Sequence, residues 1–461
     1  MKKIIPGLVL LFQLPLALSA QLISGPMLGH VDFRTATVWV EHAERFGSAS
    51  AKCWPKGGDK KKAIPAITQE NTVAKALYAF TQTYIFTNLE PGTEYTYEME
   101  VVNPKRIKVQ THSGSFKTEE LWQHRRPAPD FSFLAGSCSY FNQPKYDRPG
   151  KPYGNDSAIF EVMAKTPAAF MLWLGDNWYT REVDYYSDWG LYYRASHSRS
   201  QPVLQNFWKA MPHYAIWDDH DYGWNDADKT YPLKQTSRKV FMDFWTNPSY
   251  GENGEGIYSK ITKNDLDIFL LDDRWFRSAD ANADSIHGEP NPDKLMWGKK
   301  QMEWLKNSLL VSNKNAQISF RLIVTGSQVL NPVSTYDCAA HYPAELDELK
   351  KFIKDNKIEG ILFFTGDRHH SEVIEVKQEG MYPLYDVTSS PLTSGSGKFG
   401  GPEKDNKYRV MGVEGVQNFS KVNISGARNN RVLTLEFIGA KGEKLNEWSV
   451  NQKLLKFERS K

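Results

Sequence analysis

Four short segments gather side chains able to hold cations: Gly136-Ser137-Cys138, Gly175-Asp176-Asn177-Trp178-Tyr179, Asp218-Asp219-His220-Asp221 and Gly366-Asp367-Arg368-His369-His370. Carboxylates are hard oxygen donors and imidazole is a nitrogen donor, so together they supply ligands for two adjacent cations. Each segment alone says little. A Gly-Asp pair usually marks a turn, a lone Cys usually packs as a small apolar residue, and neighbouring histidines commonly face water. Their shared context says more, because each follows a short apolar run, at residues 131–135, 170–174, 214–217 and 361–365. Such runs read as strands, and open α/β sheets collect their ligands at the carboxyl ends of strands.

The elements that must position these segments follow from the rest of the pattern. With 461 residues the chain exceeds one ordinary core, so two folded units are expected. Residues 1–20 open with Lys2 and Lys3, run apolar from Ile4 to Leu18 and end in Ser19-Ala20, which reads as a secretory signal peptide and implies a periplasmic or secreted protein. Residues 21–118 alternate with a period of two: Ala36, Val38 and Val40 share one strand face, and Tyr95, Tyr97, Met99 and Val101 another. Turn residues at Glu90-Pro91-Gly92 stand just before Tyr95, an arrangement like the tyrosine corner of fibronectin III-like and Ig-like sandwiches. This unit is expected to be a small all-β sandwich serving as a spacer or docking module, dispensable for any metals bound beyond Asp130. Residues 119–130, with Pro127 and Pro129 among charges, read as an exposed connector. From residue 131 to 461, apolar strands alternate with amphipathic helical stretches, the signature of an α/β unit, and β-rich runs such as 432–437 complete a second sheet.

Charge narrows the partners. Without Lys2 and Lys3 the formal net charge falls from +3 to +1, too little to gather polyanions, so no obligate nucleic-acid partner is expected. No apolar run is long enough for a transmembrane segment. Three cysteines, Cys53, Cys138 and Cys338, are too few and too scattered for a disulfide framework. Trp189, Trp208, Trp245 and Trp304 recur inside helical patterns and read as core. Trp178 and Trp224, with Tyr222 and Asn225, sit in the cation-binding loops and are expected to wall the cleft, with His370 beside them as a further substrate contact.

The four segments resemble the motifs of calcineurin-like metallophosphoesterases, and within them the alkaline phosphatase D, or PhoD-like, family. The likeness extends through Trp217-Asp218-Asp219-His220-Asp221-Tyr222-Gly223-Trp224-Asn225-Asp226, Leu271-Asp272-Asp273-Arg274-Trp275-Phe276-Arg277 and Gln301-Met302-Glu303-Trp304-Leu305, covering most of residues 130–390. The resemblance implies an α/β two-sheet sandwich flanked by helices and an exported binuclear hydrolase of phosphate monoesters or diesters, working by in-line attack of metal-bound hydroxide. It implies that Asp176 bridges two metals, that Cys138, Tyr179 and His369 complete a first site suited to ferric iron, and that Asp219 and Asp367 hold calcium or another divalent cation at the second. His220 would act as acid or donor at the leaving oxygen. Arg274 would grip the ester oxygens or, about equally, form a salt bridge with Asp272 or Asp273. Where related enzymes present a further histidine the chain reads Gly326-Ser327-Gln328, so Gln328 or water would fill that position. Two rival functions fit less of the pattern: hydrolysis of sulfate esters on a saccharide, and non-catalytic glycan binding.

Overall fold

The computed structural model describes residues 22–43, 48–70, 79–102 and 107–458; the leader at residues 1–20 lies outside them. No helix among the described residues is long and apolar enough to cross a membrane.

Residues 131–458 build two large sheets and a two-stranded one, Ser285–Ile286 with Glu289–Pro290. The first has seven strands, in the order Ser259–Lys263, Leu266–Leu270, Phe320–Val324, Ile361–Thr365, Leu384–Thr388, Ser371–Val376 and Arg409–Val413. The second has six: His213–Ile216, Met171–Leu174, Phe131–Gly136, Asn418–Ser425, Val432–Gly439 and Lys444–Asn451. Strands 266–270, 320–324 and 361–365 are mostly apolar and buried throughout, as parallel strands covered on both faces must be. Strand Val432–Gly439 is antiparallel to its neighbours and alternates buried with half-buried residues, so one of its faces meets solvent. Phe133, Leu172 and Ile216 of one sheet share a continuous core with Ile268, Leu322 and Phe364 of the other, which makes the pair a layered sandwich. Strands Leu266–Leu270, Phe320–Val324, Ile361–Thr365 and Leu384–Thr388 of the first sheet run parallel to one another, as do His213–Ile216, Met171–Leu174 and Phe131–Gly136 of the second. The four polar segments begin at the carboxyl ends of strands in these two sets.

The first described residues form two four-stranded antiparallel sheets. One orders Leu22–Val31, Ala36–His42, Phe80–Phe86 and Ile67–Glu70; the other orders Ile64–Pro65, Ser48–Pro55, Glu94–Val102 and Lys108–Lys117. Leu28, Val38, Tyr84, Tyr97 and Phe116 pack between them. The Tyr95 phenol accepts a hydrogen bond from the Glu90 amide at 2.9 Å, closing the corner that the turn residues suggest.

This unit is not held at arm's length. Met27 and Trp39 belong to the same apolar cluster as Trp173, Phe207, Trp208 and Trp245 of the α/β unit. Trp39 donates its indole N–H to the Asp243 carbonyl at 2.8 Å, and Ser24 donates to the Arg199 carbonyl at 2.8 Å. At Gly29 any Cβ would meet Thr246 Oγ1 at 1.7 Å, so only glycine lets the two backbones approach. Arg199 ends helix Asp188–Arg199, and its guanidinium lies 4.6, 4.5 and 4.2 Å from the rings of Trp39, Trp208 and Trp245. The opposing charge is Glu41, fully buried, whose charged form is favoured by Ser196 and Arg199. The connector is tied down as well: Glu119 pairs with Lys263 at 2.6 Å, and Arg431 is bonded to Asp130 and to the Pro129 carbonyl. Of the tryptophans read as core, Trp208 and Trp245 are buried, whereas Trp189 is 50% exposed and stacks on Tyr193 one helical turn away.

Burial lifts the Glu41 carboxyl from 4.5 to about 7, against the pull of Ser196 and Arg199. A folded-state value above the unfolded one contributes stability that is present below pH 4.5 and fades as pH rises towards 7. Glu41→Gln removes that titration. Its stability relative to the wild type should therefore rise as pH moves from about 4.5 to 7, measured by denaturant unfolding at several pH values. A constant difference across that window would show that Glu41 does not titrate there.

Candidate functional site

The four strand ends meet in a pocket of about 960 Å³ lined by Asp176, Asp219, His220, Asn225, Asp367, Arg368, His369 and His370, among others. Its floor is held in uncommon backbone geometry. Cys138, Asp176, Asp367 and His369 all take left-handed conformations, with φ of 63°, 53°, 66° and 55°. A non-glycine residue in that region costs about 1–3 kcal/mol and persists only where its surroundings impose it, most often at functional sites. The glycines of the Gly-Asp pairs allow the close packing: a Cβ at Gly175 would meet the Asp218 Cβ at 2.7 Å, and one at Gly366 would meet the Leu174 carbonyl oxygen at 2.4 Å.

Side chains converge on this floor. The Cys138 thiol lies 3.6 Å from Asp176 Oδ2 and accepts a hydrogen bond from Ser390 Oγ at 3.1 Å. The Tyr179 phenol is 3.2 Å from His369 Nε2, and its ring lies 4.1 Å, centre to centre, from that of His220. The His220 amide donates to Asp219 Oδ1 at 2.9 Å and to Asp176 Oδ1 at 3.3 Å. Two donor groups result, Cys138–Asp176–His369 and Asp176–Asp219–His220, each with its donor atoms within 4.8 Å of one another and both containing Asp176. Asp367 lines the same pocket but stands outside both groups.

The donor chemistry fits cations. Among the described residues no Lys or Arg lies within ion-pair distance of Asp176, Asp219 or Asp367, although the first two are almost wholly buried. Burial, with Asp219 and Cys138 adding like charge, pushes Asp176 far above the usual carboxylate range. Burial and the charge of Asp367 push the Cys138 thiol up to about 12, and burial with the charge of Asp176 also raises the Tyr179 phenol. Asp219 stays low despite burial because His220 and Arg274 favour its charge. Burial brings His369 down to about 3, with His220 and Arg368 adding to the effect, so its imidazole is neutral and keeps a lone pair to donate. A cation reverses these directions for the thiol, phenol and carboxylates. All three cysteines are free, so no disulfide occupies Cys138.

Several expected residues lie elsewhere. Trp178 is buried in the core against Phe244, and Tyr222 is buried between Trp217 and Tyr231; neither lines the pocket, because neighbouring loop positions point in opposite directions. Trp224 packs edge-on against Tyr231. Asn225 does reach the mouth, and His370 reaches the wall with Nε2 directed at Glu372, 3.3 Å away. Gln328 is fully buried and spends its amide on Glu372 and Thr388, away from the pocket. Arg274 is also fully buried. It bonds Asp218 through Nε at 2.6 Å and Asp337 through Nη2 at 2.7 Å, with the anticipated partner Asp273 at 4.0 Å, and it does not line the pocket.

The positioning groups were hidden in the sequence. Asp221 accepts from the Asn177 and Asp218 amides at 3.0 and 2.6 Å, pulling two strand ends together. Arg181 lies 3.9 Å over the Tyr140 ring and donates to the carbonyls of Tyr179 and Phe141 and to Asp147, clamping the Cys138 and Tyr179 loops. Tyr153 places its hydroxyl 3.2 Å from His369 Nδ1 from a Pro- and Gly-rich loop that carries no periodic signal.

A family profile described as PhoD-like phosphatase matches residues 133–433, and one described as a domain of unknown function, DUF7800, matches residues 19–116. Alkaline phosphatase D of Bacillus subtilis (strain 168) is 26% identical over 323 residues, 61% of this chain and 52% of that protein. The chain thus spans about half the length of that curated relative. Among solved structures, one of PhoD superposes with a TM-score of 0.71 at 16% identity, covering 94% of this chain and 90% of the other. Purple acid phosphatase PPD1 from yellow lupin (Lupinus luteus) seeds superposes at 0.66 and 12% identity, covering 92% and 74%. The α/β fold is therefore the one seen in PhoD and in that purple acid phosphatase.

Two substitutions test the geometry. Cys138→Ser should lower bound metal, measured by elemental analysis, well before it lowers the unfolding midpoint; unchanged metal content would remove the thiol from the ligand set. Arg274→Ala strands Asp218 without its cation, leaves Asp337 only Arg277 at 3.0 Å, and should cost about 3–5 kcal/mol in denaturant unfolding. An unchanged midpoint with a collapse in turnover would return Arg274 to the substrate.

Proposed function

The chain belongs to the PhoD-like phosphatase family, and from that membership we propose that it is a metal-dependent hydrolase of phosphate esters, acting on monoesters or diesters. The observation that carries this reading is the pair of donor groups meeting at Asp176, with no Lys or Arg among the described residues within ion-pair distance of Asp176 or Asp219. In this reading Cys138, Asp176, Tyr179 and His369 hold ferric iron, and Asp176, Asp219 and Asp367 hold calcium or another divalent cation. When bound, such cations supply a water of lowered pKa and positive charge facing the phosphoryl oxygens.

The chain's own residues do the rest. Asp176 presents one carboxylate oxygen to each donor group, setting the spacing of the two positions. His220 lines the pocket with Nδ1 buried and unpartnered, and its ring is fixed against Tyr179. It is the group we assign to donate a proton, or a hydrogen bond, to the leaving oxygen. Tyr153, half exposed beside His369, closes one side of the pocket against water. Among its described residues the first unit, residues 21–118, contributes none of these donors, and it supports the fold through the Arg199 contact. Residues 1–20 would direct export, placing metal loading outside the cytoplasm.

The test is a hydrolysis screen of metal-replete protein against phosphate monoesters, phosphate diesters and sulfate esters, with bound metals quantified. Phosphate esters should turn over, chelation should abolish turnover, and metal should restore it; turnover of sulfate esters alone would overturn the reading. His220→Gln should keep its metals and lose about 100- to 10,000-fold in kcat. Loss of second-site metal from that variant would make His220 a ligand instead.

A further inference from the structure

One motif is not used by the centre described above: Ser394-Gly395-Ser396-Gly397-Lys398-Phe399-Gly400-Gly401. Gly397, Lys398, Gly400 and Gly401 all line the pocket. The loop is anchored next to the donors, since the Gly397 amide donates to the His369 carbonyl at 2.7 Å and Gly415 donates back to the Gly397 carbonyl at 2.7 Å. Facing the same space is Arg368. Its side chain is 5% exposed, with Nη2 held by both Glu403 oxygens at 2.8 and 2.9 Å and its guanidinium 4.3 Å from the Tyr336 ring. Its Nε is buried with no partner.

Charge in the pocket is divided by side. Asp280, Asp284 and Asp337 each already have a cation, from Arg277 at 2.8 Å, Lys294 at 2.6 Å and Arg274 at 2.7 Å. Asp226 stands with the donor groups, its amide bonded to Asp219. Lys398 is exposed at the opposite wall and has no carboxylate within ion-pair distance among the described residues, which leaves that wall positive. A pocket of about 960 Å³ also holds far more than one phosphoryl group.

We propose that Arg368, Lys398 and the 394–401 loop form an anion subsite for a second phosphate group carried by the leaving alcohol. Arg368, fixed by Glu403 and Tyr336, offers a guanidinium edge of set orientation, and Lys398 supplies the mobile point charge. The subsite rests on the phosphate-ester reading and narrows it, from phosphate esters in general to those whose leaving group is itself phosphorylated.

The test compares propyl phosphate with its analogue bearing a second phosphate on the far carbon, reading released inorganic phosphate from the metal-replete full chain. Wild type should favour the doubly phosphorylated substrate, chiefly through KM. Lys398→Ala should lower its kcat/KM about fivefold while propyl phosphate stays within about twofold. Lys398→Glu should lower it further, Lys398→Arg should retain the preference, and added salt should erode it. Equal responses of the two substrates to the Lys398 substitutions, or no preference in the wild type, overturn the subsite while leaving the phosphatase reading intact. Failure of the wild type to hydrolyse either ester overturns the phosphatase reading and the subsite with it.

Discussion

Negative charge buried at one edge of two sheets governs this molecule. Asp176 and Asp219 lie almost out of water beside a thiol and a phenol, and Asp367 shares their pocket, with no Lys or Arg among the described residues within ion-pair distance of the three. An uncompensated buried carboxylate is among the most expensive features a fold can carry. The surrounding structure is arranged to keep the group together nonetheless. Left-handed residues hold the strand ends at Cys138, Asp176, Asp367 and His369, Asp221 joins two of the loops, and the Arg181 guanidinium braces two others. The same physical demand separates the two kinds of arginine here. Arg274 is spent on Asp218, which is fully buried, and on Asp337, which lines the pocket, and makes no ion pair with the carboxylates of the donor groups.

Much of this was legible in the sequence because the strands are short and apolar and the donors stand immediately after them. Strand 361–365 and the Gly-Asp that follows it illustrate this: a fully buried parallel strand must end in a turn, and glycine is the residue that survives the contact with Leu174. Face was not legible inside the loops. Trp178 stands between Asp176 and Tyr179, both at the donor cluster, yet it points into the core, because irregular backbone has no fixed period from which to infer direction. Nor could sequence pair Arg274 with Asp337, whose segment carries no motif, or bring Tyr153 to His369 across more than two hundred residues. Long-range electrostatic partners follow from topology, and local pattern does not carry them.

The β-rich first unit shows the same limit on a larger scale. Its strands follow from alternation in the sequence, and an independent module was the natural reading. The attachment depends on Trp39, Gly29 and Glu41, whose meaning appears only when Arg199, Thr246 and Trp245 stand opposite them. Burying an arginine among indole rings gives a contact that is apolar in area and charged in character, so it is strong in its own setting and poorly suited to any other partner.

That attachment also bears on how the chain acquires its structure. Synthesis delivers Met27 and Trp39 long before helix Asp188–Arg199, strand His213–Ile216 or Trp245 exist to cover them. The nascent first sheet must wait with an aromatic face uncovered while roughly two hundred further residues are made, and its closure is a contact of high sequence separation and correspondingly slow. The interval is when this chain is most exposed to self-association, and a holdase acting on it would find its natural target at the Trp39 face.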